Sequence, residues 1–213
     1  MLAKVLEGIV CAWLDELCPD TDDSLQFGCT KGTSTTHCLI EIYHAWCMAT
    51  DTPKQNVCVL LLDFSKAFDH VDHHILLDKW SQSGAPDFMI NWKHSFLLDR
   101  QHRVKIKDKV SSWKSPCGGT PQGTKSGAKD FKIMVKDIRA ALPVFKYVDD
   151  STLFEICKRG VQSNLLQELA NDVSEWCRRN RMLNAKKTKE LIIDFSKIGI
   201  PHAKIIIEGQ EIE

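Results

Sequence analysis

Residues 57–62 read VCVLLL, and the next residue is Asp63. A run this short and this apolar offers no polar face to solvent, so it belongs in the middle of a sheet, covered on both sides. A second stretch, residues 146–156 (KYVDDSTLFEI), sets Asp149 and Asp150 between two apolar runs. Short strands over 145–148 and 152–156, meeting at these aspartates, read as a tight hairpin. Three carboxylates carried to strand ends from distant parts of one chain make an oxygen set that two divalent cations, about 3.5–4 Å apart, can share in phosphoryl transfer. Taken singly, each has a plainer reading. A double aspartate is a common turn element, and an aspartate after a strand often caps the next helix. The combination, with its apolar flanks, is what points to chemistry.

Around these strands the periodicity predicts helices over 2–17, 36–50, 70–81, 87–98, 131–142 and 161–178. In the first, Leu2, Val5, Leu6, Ile9, Trp13, Leu14 and Leu17 form a stripe expected to face a core, and Pro19 stops the run. In the second the expected stripe is Leu39, Ile42, Tyr43 and Trp46. A hairpin is expected over 103–113, turning at Asp108-Lys109, with closing strands over 189–195 and 203–207. Paired strands interspersed with helices indicate an α+β fold, a mostly antiparallel sheet with helices on one face.

Composition narrows the function classes. Lys plus Arg equals Asp plus Glu, 28 each, so bulk charge gives no general affinity for nucleic acid. Base is concentrated over 105–136 and 178–189, and acid over 7–23. The nine cysteines are odd in number and lack C-x-x-C spacing, which reads as free thiols in a reducing compartment. No apolar run is long enough to cross a bilayer, and Glu7, Asp15 and Glu16 interrupt any signal-peptide core, so the expected location is cytoplasm or nucleus, away from membranes. A competing metal reading lies in residues 69–74, DHVDHH. His70 and His74 are four apart, so on a helix they could share one face and bind zinc in a hydrolase, although the glutamate of HExxH is missing.

The segments FGCTKGTSTTHCLIEI, LLLDFSKAFDHVDHHILLDKW, GGTPQGTKSG, KYVDDSTL and RMLNAKKTKELIIDFSK occur here in that order. In this order the chain resembles reverse transcriptases of non-LTR (LINE-type) retrotransposons, most nearly the jockey-like and chicken-repeat-like elements. The resemblance implies a polymerase palm with part of the fingers and no thumb. Residues 1–56 would be a fingers-side segment, and 57–213 palm with finger-side insertions. It implies RNA-directed DNA polymerisation with RNA template, DNA primer, deoxynucleoside triphosphates and two Mg2+ ions, Mn2+ being a possible substitute. Asp63, Asp149 and Asp150 match the metal-binding catalytic aspartates. The backbone of Phe64 would lie near a metal, and Phe68 sits where the family places its gate against a ribose 2′-hydroxyl. Pro121, Gln122 and Gly123 match the loop that meets the incoming nucleotide and template. Lys187 matches a lysine that protonates the leaving group.

Departures from that family pattern predict impaired activity. After PQGT, KSGAKDFK replaces a mostly apolar pattern; an unpaired charge pointing inward there would cost several kcal/mol, although helical spacing would let Lys129, Lys132 and Lys136 share a solvated stripe. Thr30 stands where many relatives carry an arginine for the triphosphate, leaving Lys31 as a point charge without the bidentate fork. The RRNRMLNAKK segment is one residue short of the usual spacing. The thumb, primer grip and endonuclease of a parent element are expected to be missing. A catalytically silent nucleic-acid-binding remnant, using bases such as Arg103, Lys105 and Lys107, is the alternative function.

Overall fold

The computed structural model describes residues 2–18, 23–64, 66–138, 141–160, 164–182, 187–196 and 204–212. In chain order the elements are α1 (Leu2–Leu17), α2 (Thr35–Asp51), β1 (Gln55–Leu62), α3 (His73–Gln82), α4 (Asp87–Leu97), β2 (Lys105–Ile106) and β3 (Lys109–Val110). They continue with α5 (Lys125–Lys136), β4 (Val144–Tyr147), β5 (Asp150–Lys158), α6 (Leu165–Asn180), β6 (Lys189–Ile193), β7 (Ile206–Ile207) and β8 (Gln210–Glu211). Two compact units are woven from alternating parts of the chain. One comprises Met1–Asp22 with Lys66–Lys136, the other Asp23–Ser65 with Asp137–Glu213.

The second unit holds a four-stranded antiparallel sheet in the order β4-β5-β1-β6. The apolar run forms one of its two interior strands, as its composition requires. Val57 and Val59, on one side of β1, pack with Ala49 of α2, and Leu60 on the opposite side is equally buried. Helix α6 is strongly amphipathic, burying Leu166, Leu169, Val173 and Trp176, and it ends where Arg181 turns left-handed. On α2 the buried residues are Cys38, Ile42 and Ala49, whereas Leu39 and Tyr43 of the expected stripe are exposed. The outer edge of β4 is covered by residues 25–27. Phe27 N–H donates to Lys146 O (2.8 Å) and Lys146 N–H to Leu25 O (2.8 Å), closing the exposed ladder.

The first unit packs α3 against α4 and α5, and α1 against α5. Here several expectations are corrected. The stripe proposed for α1 faces outward: Leu2, Val5, Leu6, Ile9, Trp13 and Leu17 are exposed, and of that set only Leu14 is buried. The buried face is Glu7, Val10, Cys11 and Leu14, because the Glu7 carboxylate accepts from the Ser126 N–H (2.8 Å) at the start of α5. Helix α5 covers 125–136, not 131–142. The Thr124 hydroxyl accepts from Gly127 N–H (3.0 Å) while donating to Pro121 O (2.6 Å), so the helix begins directly after PQGT. Helix α3 begins at His73, not His70, because the Asp72 carboxylate caps it by accepting from His74 N–H and Ile75 N–H. The β2–β3 hairpin turns at Lys107-Asp108, one residue earlier than read from the sequence.

The charge set into α5 is buried and partnered. Asp130, with no exposure, receives the Lys93 ammonium and the Trp80 indole N–H (2.9 Å). Lys93, itself 1% exposed, also donates to the Ser126 hydroxyl (2.6 Å). The unpaired inward charge expected from KSGAKDFK is therefore a satisfied polar network. The shortened segment at 183–186 lies outside the described residues. Among the described residues, no helix is long and apolar enough to cross a membrane.

Candidate active site

In the second unit, antiparallel pairing brings the aspartates to one end of the sheet. Leu62 of β1 is opposite Ser151 of β5, so Asp63, one residue on, and Asp150, one residue back, leave the strands side by side. Tyr147 pairs with Asp150, which makes Val148-Asp149 a two-residue hairpin loop. The charges of Asp149 and Asp63 both act on Asp150. The Asp150 carboxyl is held above the usual carboxylate range, chiefly by local burial, then by the charges of Asp149 and Asp63. A site whose carboxylates repel in this way is relieved by a bound cation. Lys187 lies over the same end, its ammonium 3.8 Å from Asp63. Phe64 is buried, its ring 6.0 Å from that of Trp176. Lys31 is exposed on the loop before α2.

Among the described residues, Asp63, Asp149 and Asp150 included, no three His, Cys, Asp or Glu side chains are drawn together closely enough to hold a metal ion. An all-carboxylate set offers oxygen ligands of the kind that hard divalent cations take. The zinc alternative fails on the same geometry. His70 precedes the Asp72 cap, so it does not share a helical face with His74. The buried histidine is His73, whose Nε2–H donates to Gly119 O (2.8 Å).

The first unit gathers the remaining predicted residues. Gly119 N–H donates to Val71 O (2.8 Å) and Thr120 N–H to Phe68 O (2.8 Å), laying the GGTPQG segment along residues 68–71. Gly119 has φ +85°, and a Cβ there would come 2.8 Å from Asp69 O, so no larger residue permits this approach. Gln122 is thereby exposed next to Asp69, whose carboxylate accepts from its side chain (3.1 Å), and Gly123 follows with φ +73°. Phe68 is half-buried and stacked on Phe131, with ring centroids 4.6 Å apart.

Two features escaped the sequence reading. Val148 has φ 60°, whereas hairpin loops normally use glycine at this first position. A β-branched residue held there stores about 1–3 kcal/mol. The buried side chain of Gln26 bonds to that same residue. The only available signal was a glutamine directly before FGCTKG, which by itself says nothing of a partner 122 residues away.

A family profile described as "Reverse transcriptase (RNA-dependent DNA polymerase)" matches residues 1–204. Among curated proteins, the chain is 25% identical, over 98% of its length, to a probable RNA-directed DNA polymerase from transposon BS of Drosophila melanogaster. It is 27% identical, over 87% of its length, to the RNA-directed DNA polymerase from mobile element jockey of the same organism. The chain spans 24% and 22% of those relatives' lengths. Among solved structures it superposes on an apo telomerase from Candida tropicalis truncated from its C-terminal domain, with a TM-score of 0.62 and 15% identity. That match covers 96% of this chain and 43% of the telomerase chain, and at this identity it establishes the fold.

Proposed function

The chain belongs to the reverse transcriptase family, and from that premise we propose that it is the palm-bearing part of an RNA-directed DNA polymerase of a non-LTR retrotransposon. The family depends on divalent metal ions. In this chain Asp63, Asp149 and Asp150 would hold two Mg2+ ions, with Mn2+ able to substitute. When bound, such ions neutralise charge on the transferring phosphate and make the primer 3′-hydroxyl more acidic. The observation that carries the reading is the strand pairing that sets Asp63 beside Asp150 at the ends of β1 and β5, with Asp149 in the adjoining hairpin loop.

The other roles rest on residue chemistry. The ammonium of Lys187, close to Asp63, can give a proton to the departing pyrophosphate. The Phe64 backbone borders the carboxylates. The Phe68 ring, fixed by stacking on Phe131, is rigid enough to refuse a 2′-hydroxyl. Gln122 and Gly123 present an exposed amide and an open backbone to nucleotide and template, and Lys31 offers charge to the triphosphate. Thr30 directs its hydroxyl to Gln26 O (2.8 Å), so the triphosphate side of this loop lacks a guanidinium fork, and short products are expected.

Extension of a DNA primer on an RNA template, with Mg2+ and deoxynucleoside triphosphates, tests the proposal. The expected result is short products that vanish in Asp149→Ala. A second reading, nucleic-acid binding without synthesis, draws on the exposed β2–β3 hairpin, where Arg103 lies 4.5 Å over the Trp113 ring beside Lys105 and Lys107. Salt-dependent binding to an RNA–DNA hybrid with no extension would select it.

A further inference from the structure

We propose that Gln26 is a positioning residue for the catalytic aspartates, a clamp that holds the Val148 backbone in the conformation that aims Asp149 and Asp150. Of the two loop residues, only Val148 has positive φ. Isolated, a valine would leave that conformation, and the two carboxylates that follow it would turn with the chain. One buried amide prevents this. The Gln26 Oε1 accepts from the Val148 N–H (2.9 Å), and its Nε2–H donates to Val148 O (3.3 Å). The peptide groups on both sides of the strained φ/ψ pair are therefore bonded to one side chain. The same Oε1 also accepts from Gly28 N–H (2.8 Å), which fixes the amide's orientation and its O/N assignment.

The clamp is itself anchored. Gln26 is 2% exposed and bridges Lys146 on β4, the strand that leads into the loop. The Lys146 ammonium pairs with Asp23 (2.6 Å), and the Thr30 hydroxyl donates to Gln26 O. Gly28 allows the close approach, since a Cβ there would overlap the Val148 nitrogen and Cγ2. The segment from Asp23 to Thr30 thus reaches the aspartates through the Val148 backbone.

The inference rests on the polymerase reading, so its test needs an arm that does not. In Gln26→Leu, which removes both amide groups, hydrogen exchange of the 144–150 segment is expected to accelerate at least tenfold, because the Val148 N–H loses its acceptor. Mn2+ affinity of the folded protein, followed by electron paramagnetic resonance, should fall at least tenfold. Val173→Ala in α6, a destabilising core control in the same unit, should leave both readouts within twofold. Gln26→Glu keeps the acceptor and loses the donor, so it should fall between wild type and leucine in exchange. Unchanged exchange in Gln26→Leu would overturn the clamp. Accelerated exchange with unchanged Mn2+ affinity, or equal Mn2+ loss in Val173→Ala, would overturn its positioning role. If Asp149→Asn leaves Mn2+ affinity unchanged, the polymerase reading and the positioning role fall together. The exchange arm still judges the contact on its own.

Discussion

Removing the carboxylate of Asp130 should be among the most damaging single changes in the first unit. Lys93 is 1% exposed and cannot reach water, so Asp130→Ala would leave its ammonium without a counter-ion. Breaking one side of a buried pair costs about 3–5 kcal/mol. The Trp80 indole N–H would also lose its acceptor, a further loss of about 1 kcal/mol or more. Together these approach the whole stability of a typical domain, about 5–15 kcal/mol. Asp130→Asn keeps one acceptor oxygen, for the Trp80 N–H, and should lose the ion pair and the Oδ2 acceptor of the Ser126 hydroxyl. Lys93→Met combined with Asp130→Leu removes both charges from a site bordered by the Trp80 ring and the Ser126 hydroxyl. Its loss should stay within about 2 kcal/mol, because hydrophobic replacement of a buried pair is often neutral. Urea denaturation of wild type, Lys93→Met, Asp130→Leu and the double variant, with shifts in midpoint at constant slope, reads the cycle directly. Additive losses, or an Asp130→Ala loss below about 1 kcal/mol, would refute a mutually dependent buried pair.

Gly119→Ala forces a Cβ against Asp69 O at φ +85°, so it should lower thermal stability and loosen Gln122 by weakening the docking of its loop. Limited proteolysis within 118–124 would register the loosening. Of the nine cysteines, Cys29, Cys47 and Cys117 are exposed and the other six are buried, so mass spectrometry after brief alkylation of native protein should find three fast-labelling thiols. Burial pushes the Cys177 thiol up to about 12 from an ordinary 9.0, with Glu208 adding to the effect. The native thiol therefore stays protonated where the unfolded chain ionises. That contribution is complete below about pH 9 and is lost as pH rises toward 12, so melting temperatures should fall across this window and fall less in Cys177→Ala, relative to its own value at pH 8.

Some of this was legible in the chain and some was not, for identifiable reasons. The central strand could be read because VCVLLL satisfies both faces of a sheet by itself. The aspartates could be read because their apolar flanks make a strand end of them. The hairpin position shifted by one residue because Tyr147 opposite Asp150 sets the register, and pairing is invisible in one strand alone. The α1 stripe pointed the wrong way because that helix is apolar on most sides, and a carboxylate, Glu7, selects the buried face by bonding to α5. Helix α5 looked polar at its start because its buried acid is satisfied by residues 37 and 50 positions away. Gln26 escaped for the same reason, since its partner is the backbone of a hairpin loop 122 residues away.

A crystal soaked with Mn2+ and a deoxynucleoside triphosphate tests the central claim most directly. The account predicts two anomalous scattering peaks about 3.5–4 Å apart, in contact with carboxylate oxygens of Asp63 and of the Val148–Asp150 hairpin. Peaks elsewhere, or none at this end of the sheet in a crystal that binds the nucleotide, would contradict it.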